Sequence, residues 1–301
     1  MANAQTSQVK VALVTGAGRG IGRAIALRLA ELGTAVGVLA RNQAEVNETV
    51  ERIRSLGGRA HALIGDVTTS KFIQEGVTGL QTAFGPVDAL VNNAGSVTPF
   101  GPLWETSAEE WWRTCEVNLR GSLLCAHAVL PEMVRRRQGR IVNIASGVGT
   151  VVAPYFSSYV TSKTALIRFT ECLALETKPF GVAAFSISPG TVRTKMSEYS
   201  LHSAEGQKWL PWFGRIFDQK IDVPVERPVQ LVCDLLSGRF DALSGRMLSI
   251  FDDLETLRSQ ASQIEQQNLY SLKVDKLPGA GTNPALSAVL AAARGSAKGE
   301  S

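Results

Sequence analysis

Cysteine and histidine are scarce in this 301-residue sequence, with four of the first and three of the second. The cysteines are far apart, form no CxxC pair and have no metal-ligand spacing to a histidine; they are Cys115, Cys125, Cys172 and Cys233. We therefore expect buried thiols in a reducing compartment and no metal site. No apolar run is long enough to cross a bilayer, and residues 1–8 lack the apolar core of a signal peptide. These absences predict a cytoplasmic protein with no membrane partner.

A strong excess of one charge is also missing, because 31 Lys and Arg residues against 27 Asp and Glu residues leave a net charge of +4. The one tight basic run is the three arginines at 135–137, which we interpret as the solvated last turn of a helix, where cations suit the helix dipole. A nucleic-acid partner is therefore not predicted. With 45% hydrophobic and 19% charged residues, the chain can bury a sizeable core.

Short apolar runs alternate with helical patterns as far as residue 190. The first run, at 10–16, ends in a glycine cluster, and residues 21–33 then carry apolar side chains at helical spacing. Later helical patterns lie at about 45–56, 71–84, 108–137 and 158–178, each preceded by a strand-like run. Continuously apolar strands separated by helices predict a parallel sheet covered on both faces. We expect one doubly wound Rossmann-type α/β domain with a parallel seven-stranded sheet and ligands at the carboxyl ends of the strands.

The remaining sequence sets the expected domain limits. Two patchy helical stretches at about 191–225 precede a helix, a last strand and then a polar helix at 252–267. We assign 9–251 to the Rossmann-fold domain and 252–276 to a C-terminal helical extension. Residues 1–8 and the Gly/Ala/Ser-rich residues 277–301 are predicted to be disordered.

A glycine-rich turn lies between the first strand and the first helix. Its residues are Thr15, Gly16, Gly18, Arg19, Gly20, Ile21 and Gly22. Glycines permit positive φ and let the backbone approach a pyrophosphate, which then lies against the free N–H groups at the helix start. The strand, turn and helix context is the one that dinucleotide binding requires.

The end of the second predicted strand indicates which dinucleotide binds. A site for NAD usually has an acidic residue there to hold the ribose 2′-hydroxyl, but this sequence has Ala40 followed by Arg41. Without a carboxylate at that position, Arg41 and Arg19 are free to pair with a 2′-phosphate. NADP(H) is therefore favoured, and NAD(H) remains possible.

A phenol and an ammonium are spaced to act together at the start of a predicted helix. Tyr159 and Lys163 are four residues apart, which places them on one helix face. A nearby cation favours the phenolate and so brings the pKa of the phenol toward neutrality. Ser146 ends the preceding strand and Asn118 lies in the long helix before it, whereas Asp66 and the NNAG sequence at 92–95 end earlier strands.

The order of these motifs resembles the short-chain dehydrogenase/reductase family in its common single-domain form, here with a C-terminal extension. The resemblance covers about residues 10–190, through TGAGRGIG, Asp-Val at 66–67, NNAG, Asn118, Ser146, YVTSK and Pro-Gly-Thr at 189–191. It implies that Tyr159 is the general acid/base and that Ser146 holds the substrate oxygen. It also implies that Lys163 binds the nicotinamide ribose and lowers the pKa of Tyr159, with Asn118 supporting a water-linked proton relay to Lys163.

The resemblance also implies cofactor contacts along the whole crevice. Asp66 would contact the adenine ring, Asn93 and its neighbours would line the adenosine side, and Pro189 and the residues after it would flank the nicotinamide. Besides Arg41 and the turn, the cofactor-binding residues expected are Asp66, Val67, Asn93, Ala94, Gly95, Tyr159, Lys163, Pro189, Gly190, Thr191 and Thr194.

The substrate of the predicted NADPH-dependent carbonyl reductase is expected to be a medium-sized, largely apolar ketone or aldehyde. The family's substrate lid would lie at about 191–225, with Tyr155 as pocket wall and Phe100, Leu103 and Trp104 as the facing wall. Its apolar members are Met196, Tyr199, Leu201, Trp209, Leu210, Trp212, Phe213 and Phe217. Such side chains are typical of clefts that bury most of a ligand, although packing of the lid onto the domain explains most of them slightly better.

Three other functions stay open. A 3-oxoacyl-carrier-protein reductase would use Arg120 and the arginines at 135–137 to meet an acidic carrier, and an NAD-dependent secondary-alcohol dehydrogenase would run oxidatively. A non-catalytic dinucleotide sensor would bind the cofactor without turnover. The family resemblance also implies a homodimer or homotetramer.

Overall fold

The computed structural model describes residues 9–274, in which seven parallel strands form one sheet with the order β3-β2-β1-β4-β5-β6-β7. The strands are β1 Val11–Thr15, β2 Ala35–Ala40, β3 Ala60–Ile64, β4 Ala89–Asn92, β5 Gly139–Ile144, β6 Val182–Ser188 and β7 Met247–Ser249. Strand β1 pairs with β2 on one side and with β4 on the other. The order reverses at this point, which opens a crevice at the carboxyl ends of the strands.

Helices connect the strands and cover both faces of the sheet. They are α1 Gly20–Glu31, α2 Gln43–Ser55, α3 Ser70–Phe84, α4 Ala108–Cys115, α5 Gly121–Arg136, α6 Ser157–Thr177, α7 Lys195–His202, α8 Ala204–Trp209, α9 Pro211–Asp218, α10 Glu226–Leu236, α11 Leu254–Ser259 and α12 Ala261–Gln266. Helices α1, α2 and α10 pack on one face of the sheet, and α3, α5 and α6 pack on the other. The predicted doubly wound seven-stranded fold is confirmed.

The two core layers explain why the strands are continuously apolar. Val14, Val36 and Val91 face the layer under α1, α2 and α10, whereas Leu13 and Leu90 face the layer under α3, α5 and α6. All five are fully buried. Alternate residues along each strand are therefore buried by different helices, because successive side chains point to opposite faces of a sheet.

Three predicted helical segments are subdivided in the structure. The segment predicted at 108–137 contains a π-helical turn, Glu116–Arg120, between α4 and α5. The lid holds three helices rather than two stretches, because Ser203 caps α8 by accepting from the Gly206 amide and Pro211 starts α9. The predicted helix at 252–267 is wrong: Gln260 leaves helical geometry, and α11 and α12 bury Leu257 and Ile264 separately.

Two surface interpretations are wrong in part: Arg135 and Arg137 are exposed at the end of α5, as predicted, but Arg136 is not. Arg136 is not a solvated cation, since its guanidinium donates to the Asp88 carboxylate at 2.8 Å and to the Val87 carbonyl at 2.8 Å. That carboxylate also accepts from the backbone N–H of Val11, so the pair anchors the start of β1. Among the cysteines, Cys172 is exposed because it lies on the outer face of α6.

Within 9–274, the helices all lack the combination of length and hydropathy that a membrane span requires. The predicted disordered segments at 1–8 and 277–301 lie outside the described residues, as do the last two residues of the predicted extension. The described part of that extension returns to the sheet, where the Met247 amide donates to the Tyr270 carbonyl at 2.8 Å beside β7.

Candidate active site

The glycine-rich turn is a closely packed cradle at the start of α1. Gly16 and Gly20 have φ values of +62° and +55°, which non-glycine residues rarely adopt. A Cβ atom on Gly22 would lie 2.4 Å from the Gly16 carbonyl oxygen and 2.4 Å from the Asn93 amide nitrogen. A side chain at Gly22 would therefore collide with the turn, so the backbone keeps this shape at the start of α1 only with glycine there. This open backbone surface fits a pyrophosphate.

Thr15, Asn93 and Ala94 form the floor beneath the turn. The Thr15 hydroxyl oxygen accepts from the backbone N–H groups of Asn93 and Ala94, both at 3.0 Å. The Asn93 side-chain amide donates to the carbonyls of Thr15 and Gly16 at 3.0 and 3.2 Å. These bonds join the ends of β1 and β4, so the three residues shape the crevice through hydrogen bonds to one another.

A carboxylate that sequence reasoning missed lies beside the expected 2′-phosphate cations. One oxygen of Glu45 accepts from both Arg19 and Lys195 at 3.0 Å. Burial acts to raise the pKa of Glu45, but the hydrogen bonds from the two cations hold the pKa below its usual value. The sequence places Glu45 only in the first turn of α2, and Lys195 is 150 residues away in the chain. Arg41 is mostly exposed, with its guanidinium 3.9 Å from Asp66.

Asp66, the residue expected near the adenine, is held by a partner that the sequence did not reveal. Its carboxylate accepts from Arg113 on α4 at 2.5 Å and from the amide and hydroxyl of Thr68 at 2.9 and 2.8 Å. Burial opposes these bonds, yet the pKa of Asp66 is lowered, so the side chain is a fixed anion. Val67, next to it, is buried against Gly121 at the start of α5.

Ser146, Tyr159 and Lys163 meet at the carboxyl end of β5. Ser146 follows that strand and caps a short 3₁₀ helix, whereas Tyr159 and Lys163 lie in the first two turns of α6. A side-chain hydrogen bond joins Ser146 and Tyr159. The Lys163 Nζ lies 5.5 Å from the centre of the Tyr159 ring. The structure therefore brings together the hydroxyl, the phenol and the ammonium that the sequence singled out.

The surroundings of Tyr159 within the chain shift its pKa upward. Burial raises the pKa of the phenol to about 12, although the Ser146 hydrogen bond opposes the rise. Burial also lowers the pKa of the Lys163 ammonium, to about 8, and its Nζ donates to the Ile144 carbonyl at 2.7 Å. The expectation that Lys163, together with a bound nicotinamide, lowers the phenol pKa remains a prediction. At neutral pH the phenol keeps its proton.

Asn118 lies at the centre of the π-helical turn and is fully buried. Its side-chain oxygen accepts from the Ser96 amide at 2.7 Å, and its nitrogen donates to the Ser96 carbonyl and the Ser162 hydroxyl, both at 2.9 Å. The side chain therefore ties the segment after β4 to α6. These bonds engage both the oxygen and the nitrogen of the amide. The water-linked proton relay to Lys163 remains a prediction.

The residues expected near the nicotinamide join the end of β6 to the lid. Gly190 has φ +69°, and a Cβ there would lie 2.6 Å from Ile250. The Thr194 hydroxyl caps α7 and lies above the glycine-rich turn, with its methyl 3.3 Å from the position of a Cβ on Gly20. The other members of this group, placed at the same end of the sheet, are Gly95, Pro189 and Thr191.

A third apolar cluster, separate from the two core layers, surrounds Tyr159. Its fully enclosed members are Val97, Phe100, Phe156 and Leu210, and Trp209, Trp212 and Phe213 of the lid pack against them. Tyr155 stands at the rim, 41% exposed, with its ring centre 4.8 Å from that of Trp209. Leu103 and Trp104 are 64% and 84% exposed, so the expectation that they form a facing wall is wrong: the loop after Phe100 turns them toward solvent.

The other lid residues occupy the outer part of the same region. Met196 is 36% exposed and its methyl is 3.6 Å from the position of a Cβ on Gly95, while Tyr199 lies against Phe100 with ring centres 6.1 Å apart. Leu201 and Phe217 pack within the lid, against Gly214 and Phe213.

Comparisons with known proteins agree with this geometry. The model of the short chain dehydrogenase family matches residues 10–205. A short chain dehydrogenase of Pseudocercospora fijiensis is 32% identical over 85% of this chain and 84% of its own length. A 3-oxoacyl-[acyl-carrier-protein] reductase of Staphylococcus epidermidis is 37% identical over 62% of this chain and 77% of its own length. The crystal structure of actinorhodin polyketide ketoreductase with NADPH has a TM-score of 0.74 and 33% identity, covering 83% of this chain and 97% of that one.

Proposed function

Since the chain belongs to the short chain dehydrogenase family of oxidoreductases, we propose that it reduces the carbonyl group of a medium-sized, largely apolar ketone or aldehyde with NADPH. The meeting of the Ser146 hydroxyl, the Tyr159 phenol and the Lys163 ammonium at the carboxyl end of β5 carries this proposal. The phenol is a proton donor at neutral pH, as reduction of a carbonyl requires, and burial raises its pKa further, to about 12.

Each side chain of the site has a defined task in this reaction. A dinucleotide held by the glycine-rich turn would supply the hydride that the carbonyl carbon receives. Tyr159 donates its proton to the carbonyl oxygen, which leaves an alcohol, and the phenolate then regains a proton from solvent. Ser146 donates a hydrogen bond where negative charge develops on that oxygen, and the Lys163 ammonium stabilises the transient phenolate. No other proton donor is needed at the reacting oxygen.

NADP(H) is favoured by the residues around the glycine-rich turn. Their backbone leaves room for a pyrophosphate, and three cations, Arg19, Arg41 and Lys195, lie on the side of the turn where β2 ends. The crystal structure of the similar polyketide ketoreductase contains NADPH. Glu45 moderates this preference because its charge neutralises part of the cationic group, and NAD(H) therefore remains an alternative.

The aromatic cluster around Tyr159 supports an apolar substrate. Phe100 and Phe156 line its buried side, and Trp209 and Phe213 approach it from the lid. Such walls bury most of a ligand's surface while offering few polar groups.

A 3-oxoacyl-carrier-protein reductase is the second candidate, because the staphylococcal relative has that name. The arginines invoked for an acidic carrier are engaged within the chain, however. Arg120 donates to the Thr68 carbonyl at 2.6 Å, Arg135 pairs with Glu132, and Arg136 is the β1 anchor. We therefore prefer a free ketone or aldehyde to a carrier-bound acyl chain as the substrate. A cytoplasmic location and a homodimer or homotetramer also remain predictions.

A carbonyl panel tests the proposed function. We expect NADPH consumption with aryl and medium-chain alkyl ketones, weaker activity with small sugars, and none in Tyr159→Phe, which should still bind NADPH. Binding of NADPH by the wild type without turnover of any carbonyl would indicate the sensor alternative. Faster reduction of a carrier-bound 3-oxoacyl chain than of the free ketones would favour the second candidate.

A further inference from the structure

Two adjacent residues before the catalytic helix break local conformational preferences. Tyr155 has φ +63°, a left-handed conformation that bulky side chains rarely adopt. Phe156 occupies the N-cap of α6 and makes no side-chain capping bond, at a position where Ser, Thr, Asp or Asn is strongly preferred. When unfavourable backbone and capping residues occur together beside a candidate active site, another interaction made by the same residues compensates for their cost.

The compensating interactions are the ring contacts of Tyr155 and Phe156. The Phe156 ring stacks on the Tyr159 ring, with centres 4.8 Å apart and planes 13° from parallel. Phe156 is itself 4% exposed and is held edge-on by Phe100, with ring centres 5.4 Å apart. The Tyr155 ring turns the other way and packs on Trp209 of the lid.

The phenol needs this contact because its hydrogen bond leaves the ring free to rotate. The bond from Ser146 fixes only the position of the oxygen, not the plane of the ring. Phe156 and Lys163 precede and follow Tyr159 by three and four residues, so they flank the phenol along one helix face. The stacked ring thus restricts the plane of the phenol, which the hydrogen bond alone does not fix.

We propose that Phe156 is a positioning residue, which orients the phenol of Tyr159 toward the reacting oxygen by stacking on it. The catalytic effect of this residue rests on the proposed function, whereas the stacking of the two rings does not. Aromatic pairs of this type contribute measurably beyond their buried area. Packing of the lid alone would require an apolar side chain here but not a flat ring.

The test compares Phe156→Leu, which removes the ring, with Phe156→Tyr, which retains it. Phe180→Leu is the control, since Phe180 lies in the 3₁₀ helix after α6, away from the site. The chain has four tyrosines, so 3-fluorotyrosine labelling gives four fluorine NMR signals, and Tyr159→Phe assigns the one of interest. Turnover is measured with the best ketone of the panel, and NADPH binding by fluorescence.

In Phe156→Leu we expect the Tyr159 signal to lose its ring-current shift and kcat to fall about three- to tenfold, with the Kd for NADPH unchanged. Phe156→Tyr should restore both the signal and kcat to within about twofold. An unmoved Tyr159 signal in Phe156→Leu would overturn the proposal, as would a kcat as high as that of Phe180→Leu. If the wild type reduces no ketone, the proposed function fails, and the rate at which the Tyr159 ring flips, obtained from the fluorine line shape, decides the role of Phe156: faster flipping in Phe156→Leu than in the wild type supports it, and equal rates overturn it.

Discussion

Replacing Lys163 by methionine should make the protein more stable while removing its activity. Lys163 is 4% exposed, and its ammonium has one hydrogen bond, to the Ile144 carbonyl. A buried ammonium with so few partners is costly, because water solvates it much better than the protein does. Methionine has a similar length and no charge, so it removes the burial penalty without opening a large cavity.

The pKa of Lys163 gives the size of that penalty. Burial lowers the pKa from 10.5 to about 8, and each pH unit corresponds to roughly 1.4 kcal/mol, so burying the charged form costs about 3 kcal/mol at pH 7. The variant also loses the hydrogen bond to the Ile144 carbonyl, and this loss lowers its free energy of unfolding by about 1–2 kcal/mol. We therefore expect Lys163→Met to raise the free energy of unfolding by about 1–2 kcal/mol.

Urea unfolding followed by circular dichroism measures this difference. Because the pKa is lower in the folded state, the unfolded chain retains the proton that the folded chain loses between about pH 8 and 10.5. Wild-type stability should rise with pH across that window, and the advantage of the variant should shrink. Lys71→Met on the exposed face of α3 is the control and should change little. A variant less stable than the wild type at pH 7, or a difference independent of pH, would refute the reasoning.

Three further predictions concern the cofactor crevice. Glu45→Gln removes the carboxylate that shares two cations, so the Kd for NADPH measured by fluorescence titration should fall about three- to tenfold, with a smaller change for NADH; an unchanged NADPH affinity would contradict this. Arg41→Asp should move the ratio of kcat/KM for NADPH to that for NADH toward NADH, and an unchanged ratio would remove Arg41 from the phosphate site. Gly22→Ala should abolish NADPH binding because its Cβ would collide with the turn, whereas the helical control Gly79→Ala should bind normally; binding by both would show that the turn yields.

Much of this protein follows from short-range sequence signals. The apolar runs, the glycine turn and the spacing of Tyr159 and Lys163 predicted the alternation of strands and helices, the crevice and the catalytic helix, because side-chain periodicity, turns and helical hydrogen bonds depend on neighbouring residues. The π-helical turn at Asn118 was not predicted. At this turn the Asn118 amide donates to the Ser96 carbonyl and the Ser162 hydroxyl, and both of these residues are remote in sequence.

The sequence by itself determined the layered sheet, the family and the candidate catalytic groups, because hydrophobic periodicity and motif spacing are encoded locally. Only the tertiary structure decided the pKa values of those groups and the residues with which they interact. Burial sets the pKa of Tyr159 and of Lys163, and burial depends on every element that packs around them. The pairing of Glu45 with Lys195 likewise arises because the lid folds back over the glycine turn, which no local pattern specifies.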